Sequence, residues 1–153
     1  MRPILLGIAA IAIGGAAAPT ARLAPGLWRV DTVPVGATLD GRPLGDLPYT
    51  ANGPQSVCMS PAEAVDPARW FTRDSGTGCA VSRGAIVNGR VDIRGNCPGQ
   101  AAGDAPGTVQ LTGTWTPDRY DLRFATTTVG ENGKMGFTGT IAGRRVGACP
   151  AAK

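Results

Sequence analysis

The 153-residue sequence contains no histidine and almost no lysine. Histidine is the commonest general base and the usual partner of serine and cysteine nucleophiles, so its absence excludes the Ser–His and Cys–His catalytic systems. Lys134 lies on a predicted strand and Lys153 ends the sequence. No local motif supports a Ser–Lys pair at Lys134. The sequence therefore predicts no catalytic residue and a protein that is not an enzyme.

Metal and cofactor motifs are missing as well. The four cysteines include no C-x-x-C pair, whereas a zinc site built from cysteines brings its ligands in closely spaced pairs. The Gly-Glu-Asn-Gly-Lys stretch at residues 130–134 lacks the spacing and the Ser/Thr of a phosphate-binding loop, and it is predicted to be a turn. We expect no metal and no cofactor. Paired carboxylates stay open as an alternative, although acidic residues such as Asp92 and Asp121 are predicted to face solvent.

No apolar run is long enough for a comfortable membrane span, which needs about 20 residues. The run at residues 4–18 follows Arg2 and ends in small residues, a pattern typical of a secretory signal peptide. We predict a signal peptide over residues 1–17, cleaved after Ala17, with an uncleaved anchor as the alternative. Residues 18–25 would form a short linker, 26–150 one domain and 151–153 a tail. No stable membrane span is expected after cleavage.

Clustered positive charge is also absent. The arginines are mostly isolated, and only Arg144 and Arg145 are adjacent. A nucleic-acid-binding protein normally concentrates basic residues on one face and adds stacking aromatic residues, so we expect no nucleic-acid partner. Neighbouring strand residues point to opposite faces, which disfavours a joint anion clamp by these two arginines.

The cysteines themselves predict disulfides, because their number is even and the chain carries an export signal. Asn88-Gly89 predicts a type I′ hairpin. A bulge near Arg83-Gly84 would bury Val81 opposite Gly95 and place Cys79 opposite Cys97 on one face. Elimination then pairs Cys58 with Cys149. The pairing Cys58–Cys79 with Cys97–Cys149 remains an alternative, since four cysteines allow three connectivities.

Cys58 also precedes a predicted helix start, where a thiolate can be reactive. Ser60, Pro61 and Glu63 form a capping box with proline at the first helical position. Asp66-Pro67 repeats the pattern, so we predict one short helical segment of two turns with Trp70 and Phe71 packing onto a sheet. The even cysteine count favours a disulfide role for Cys58 over a redox role.

Alternation of apolar and polar residues indicates strands over most of the remaining chain. The first strand is predicted at residues 26–33 and a second at residues 55–59, with an irregular connection and a short hairpin around Asp40-Gly41 between them. After residue 107, alternating strands are separated by turns, the last at Ala142-Gly143. The predicted fold is mainly β, an antiparallel meander of seven to eight strands that forms a small barrel or a strongly curved sheet.

Several stretches together resemble the bacterial domain-of-unknown-function family 3617, a family of small exported proteins. They are PGLWRV, VCMSPAEAVDPARW, GCAVS, CPG, GTVQLTGTWTPDRYDLRF and GRRVGACP, and the resemblance spans residues 25–150. Arg29 stands where the family commonly has an acidic residue, and methionine is scarce. The resemblance implies a periplasmic, β-rich domain of a Gram-negative bacterium. It implies no established activity and transfers no catalytic residue.

The expected function is therefore non-enzymatic binding in the periplasm, with a small apolar ligand inside the sheet or an envelope protein as the partner. A structural or stress-related envelope protein that acts through its surface is the alternative. An enzyme that uses two carboxylates is the third possibility, and it would need two acidic side chains within about 5–9 Å in one pocket.

Overall fold

The structure, a computed structural model, describes residues 22–45, 53–73, 79–98 and 105–151. The predicted signal peptide lies outside these residues. The described chain forms eight strands and two short helices. Their bounds are β1 Gly26–Leu39, β2 Arg42–Pro43, β3 Gln55–Met59, α1 Pro61–Ala64, α2 Pro67–Arg73, β4 Ala80–Val87, β5 Arg90–Cys97, β6 Gly107–Thr116, β7 Arg119–Gly130 and β8 Gly133–Gly147.

All eight strands belong to one antiparallel sheet that stays open. The order is β2-β1-β8-β7-β6-β5-β4, and β3 pairs with the same side of β1 as β2 does. Strands β4 to β8 form a meander, and β1 pairs with β8 on the other side of that strand. Of the two predicted forms, the curved sheet is confirmed. Within the described residues, β4 at one edge does not pair with β2 or β3 at the other, so the barrel does not form.

The alternation predicted from the sequence divides the sheet into two faces. On β5, every second residue from Val91 to Cys97 is buried, and the intervening residues are exposed. We call the face with the buried side chains the packed face and the opposite one the polar face. The packed face carries Trp28, Val30, Val91, Ile93, Val109, Leu111, Trp115, Tyr120, Leu122 and Ile141.

The helical segment crosses the packed face from the β3 edge to the β4 edge. The Ser60 Oγ accepts a hydrogen bond from the Glu63 N–H, and the Glu63 carboxylate accepts one from the Ser60 N–H, which confirms the capping box. Asp66 accepts from the Arg69 N–H and begins a second helix, so the segment is two helices instead of one. Trp70, which follows on α2, is only 1% exposed, as predicted. Neither described helix is long and apolar enough to cross a membrane.

The β4–β5 hairpin determines one of the two disulfides. Asn88 and Gly89 adopt positive φ values of 51° and 72°, as a type I′ turn requires. The register shifts between Val81 and Arg83, so the bulge falls at Ser82, immediately before its predicted place. Cys79 is bonded to Cys97 with a Cα–Cα distance of 4.0 Å. Val81 lies opposite Gly95 as predicted but remains 40% exposed, because β4 is an edge strand.

The second disulfide joins Cys58 to Cys149, whose Cα atoms are 5.6 Å apart. It links β3, at the edge of the sheet, to the chain just beyond β8. Both bonds follow the pairing that the hairpin register favoured. The alternative pairing in chain order is absent.

The predicted turn at Ala142-Gly143 is wrong. Strand β8 runs through both residues without a break and pairs with β1 and β7 along its length. Position 143 requires glycine for a different reason: the Tyr120 ring occupies the space that a Cβ at this position would take. A glycine required by close packing therefore resembled a glycine required by a turn.

Two predicted boundaries also change. Strand β1 continues to Leu39, beyond the predicted end at residue 33. Pro34 has no backbone N–H to donate to β8, but a register shift immediately after it allows β1 to go on pairing with β8. The end of the predicted linker is part of the packed structure. Leu23 is 1% exposed, and the Ala24 N–H donates to the Pro117 carbonyl at 2.7 Å.

Candidate functional site

The described residues bring together no group of side chains that would hold a metal ion. Their cysteine, aspartate and glutamate side chains form no cluster of three or more around a possible ion position. Cys58 and the other three cysteines are all disulfide-bonded, so none is a free nucleophile. Asp92 and Asp121 are exposed on the polar face, as predicted.

The packed face beside α2 is occupied by the chain's own aromatic rings. Trp28 stacks on Tyr120 with ring centroids 5.4 Å apart, and Phe71 meets Tyr120 edge-on at 5.1 Å. Trp70 lies 6.5 Å from Trp28. These four rings are buried and fill the place where the sequence had suggested an apolar ligand. Among the described residues, depressions that open to solvent lie on the other side of the sheet.

Within the part of the chain that the structure describes, three depressions lie on the polar face. One of about 500 Å³ lies over the middle strands, among threonines with Asp121 and Arg123. A second, of about 430 Å³, is lined by Arg83, Gly84, Asp92 and Arg94. The third, of about 280 Å³, is lined by Arg29, Asp31, Pro54, Arg119, Asp121, Ala142, Gly143 and Arg144.

The third depression contains a row of arginines from three neighbouring strands. Arg144 on β8 pairs with Arg29 on β1 and with Arg119 on β7. We call these three residues the arginine row. Cross-strand partners share one face with Cβ atoms about 5 Å apart, so three guanidinium groups emerge side by side. The next residues along the row carry hydroxyls, Ser56 beyond Arg29 and Thr116 beyond Arg119.

A second row runs parallel to the first, two residues further along each strand. Ala142 on β8 lies between Asp31 on β1 and Asp121 on β7. We call these three residues the aspartate row. Two residues of a strand span about 7 Å, which separates the rows. The small side chain of Ala142 leaves open space between the two carboxylates.

Only part of this charge is neutralised within the site. The Arg119 Nε donates to the Asp121 carboxylate at 2.8 Å, with both side chains about half exposed. Among the residues that the structure describes, Arg29, Arg144 and Asp31 have no ion-pair partner. Asp31 and Asp121 line the same depression, with Asp121 held in an ion pair by Arg119.

The neighbouring Arg145 belongs to the other face, as predicted. Its Nε donates to the Pro25 carbonyl at 2.8 Å, so it holds the start of the domain against β8. The arginine row is not visible in the sequence because its members are 25 to 115 residues apart in the chain. The signal that would have revealed it is the pairing register of β1, β8 and β7.

The fold and this surface define a class of protein: an open, disulfide-crosslinked antiparallel sheet with an aromatic packed face and an arginine-rich polar face. A family model described as "Protein of unknown function (DUF3617)" matches residues 23–149. The chain belongs to this family. No curated protein and no solved structure matches it.

Proposed function

We propose that this protein is a non-enzymatic binding protein of the Gram-negative periplasm, which holds a component of the cell envelope against the polar face of its sheet. One observation carries the proposal. The polar face presents arginines in cross-strand register, two of them without an ion-pair partner among the described residues, whereas the packed face beside α2 is filled by the protein's own rings. The sequence suggested a small apolar ligand or an envelope protein. The charged surface fits a partner from the envelope better than it fits an apolar ligand, and it widens that partner from a protein to any envelope component.

Location in the periplasm rests on the signal-like N-terminus and on the disulfides. Both bonds need an oxidising compartment to persist, and the periplasm provides one. Osmotic-shock fractionation of the full-length chain tests this part. We expect the shock fluid to contain a form that begins at Ala18, by intact mass, and a Leu5→Arg, Leu6→Arg variant to stay in the cytoplasm. A cytoplasmic wild-type protein with reduced cysteines would overturn the proposal.

Binding is tested by co-sedimentation of the purified mature protein with total envelope material. An Arg94→Glu, Arg123→Glu variant reverses two charges on the polar face and should sediment less than the wild type. The matched control is Arg42→Glu, Arg69→Glu, which reverses two exposed charges elsewhere: Arg42 pairs with Leu39 at the edge, and Arg69 lies on α2. Equal loss in both variants would show a response to net charge and contradict a role for the polar face.

A further inference from the structure

We propose that the depression formed by the arginine and aspartate rows binds a phosphoethanolamine group, with the phosphate on Arg29 and Arg144 and the ammonium on Asp31. This inference rests on the proposed function and names the envelope component's chemistry. The three side chains line one depression of about 280 Å³ and have no ion-pair partner among the described residues.

The arginine row is unfavourable for the fold alone. Like charges that lie directly opposite each other on neighbouring strands destabilise a sheet. The register nevertheless places Arg144 between two arginines, and Asp121 neutralises only Arg119. A bound anion that bridges the two adjacent guanidinium groups would account for an arrangement that otherwise destabilises the sheet.

Guanidinium groups select the anion by geometry. Their planar N–H donors match the oxygens of phosphate and carboxylate, and two neighbouring groups can share one phosphate. The hydroxyl of Ser56, exposed at the end of the row, offers one further donor. A long polyanion such as nucleic acid would also meet the carboxylates of Asp31 and Asp121, which repel it, so the site favours a small ligand.

The aspartate row then selects a ligand of mixed charge. With Arg119 and Asp121 bonded to each other, two cations and one anion remain: Arg29, Arg144 and Asp31. Asp31 lies two residues from Arg29 on the same strand, about 7 Å along it. A phosphate joined by a two-carbon bridge to a primary ammonium places opposite charges on these neighbouring positions. Ala142 leaves room for the ammonium beside Asp31.

Titration with glycerophosphoethanolamine, a soluble diester, tests the site, and glycerophosphocholine is the matched ligand without N–H donors. We expect the ethanolamine ester to bind at least about tenfold more tightly, since a hydrogen bond to a charged group is lost with choline. Asp31→Asn should remove this preference. Arg144→Gln should weaken binding about tenfold or more, whereas Arg69→Gln, which lies on α2 away from the polar face, should leave it unchanged.

Folding of the variants is checked separately. Removing one like charge should leave the denaturation midpoint of Arg144→Gln equal to that of the wild type or raise it. Equal affinity for both esters, or unchanged affinity in Arg144→Gln, would overturn the inference.

A second experiment, with lipid vesicles, distinguishes whether the phosphoethanolamine group comes from a lipid or from a soluble ester. Sedimentation with phosphatidylethanolamine–phosphatidylcholine vesicles, but not with pure phosphatidylcholine vesicles, would assign the site to a lipid head group. Binding of the soluble ester alone would support the site and assign it to a free diester. If both phosphoethanolamine probes fail while total envelope material still binds, this inference is wrong and the proposed function stands. If the envelope material also fails to bind, both are wrong.

Discussion

The Tyr120 ring lies directly against Gly143, its cross-strand partner on β8. The same ring stacks on Trp28 and receives the edge of Phe71, so it occupies the centre of the aromatic cluster. A side chain at position 143 would need the volume that this ring already fills. The glycine therefore determines where the cluster sits on the sheet.

Replacing Gly143 by alanine should destabilise the protein by about 1–3 kcal/mol, because the new methyl group forces the Tyr120 ring out of place. Chemical denaturation followed by tryptophan fluorescence measures the change. Gly147→Ala is the matched control on the same strand, where a Cβ meets nothing within 4 Å. It should change the free energy of unfolding by less than about 0.5 kcal/mol. Equal effects at both positions would show that the packing argument is wrong.

The two disulfides should differ in their response to a reductant. Cys58 is exposed and Cys149 is half-buried, whereas Cys79 and Cys97 are 9% and 3% exposed. Under native conditions, we expect dithiothreitol to open Cys58–Cys149 first, which alkylation and peptide mass spectrometry would detect. Since that bond closes a loop of 91 residues, its loss should cost about 4–5 kcal/mol in the chain-entropy model. Earlier alkylation of Cys97 would contradict this order.

The capping box at the start of α1 should behave as one coupled unit. Ser60 and Glu63 form two reciprocal hydrogen bonds. The Ser60 N–H donates to the Glu63 carboxylate at 2.8 Å, and the Glu63 N–H donates to the Ser60 hydroxyl at 3.2 Å. Ser60→Ala should cost about 1 kcal/mol, and Glu63→Ala a similar amount. The double variant should lose clearly less than the sum, as urea denaturation of all four proteins would show. Additive losses would mean that the two bonds are independent.

Asp40 joins two neighbouring turns at one end of the sheet, the β1–β2 turn and the β7–β8 turn. Its carboxylate accepts a hydrogen bond from the Lys134 N–H at 2.8 Å, and its φ is 49°. Asp40→Ala should cost about 1–2 kcal/mol, because it removes the acceptor and places a Cβ-bearing residue without a local polar group in the left-handed region. Asp40→Asn keeps an acceptor and tolerates this conformation, so its thermal unfolding midpoint should stay close to the wild type. Equal losses in both variants would contradict this account.

Much of the sheet was predictable from local patterns. The alternation in β5 to β8, the Asn88-Gly89 turn and the capping box each depend on residues close together in the chain. The Cys79–Cys97 bond followed because a hairpin with a known turn and one bulge leaves little freedom in register. These features need no knowledge of the rest of the fold.

The errors arose where distant strands decide the outcome. The sequence around Gly143 does not reveal that a ring from β7 lies over it. The predicted strand end at Val33 was wrong because the continued pairing with β8 past Pro34 is not visible in the local sequence. The arginine row depends on three strands in register, so the isolated arginines of the sequence gave no sign of it. The candidate site is therefore a property of the pairing pattern.

The pairing of β1 with β8 has a consequence for the order in which the protein forms. The first strand of the domain finds its main partner only in the last strand to be synthesised, more than 100 residues later. The hairpins of the middle strands can assemble as they emerge, but β1 must wait with one hydrogen-bonding edge unsatisfied. Such distant contacts slow folding and expose the waiting segment to aggregation. A chain truncated before β8 would therefore keep its inner hairpins but could not bury Trp28 against Tyr120.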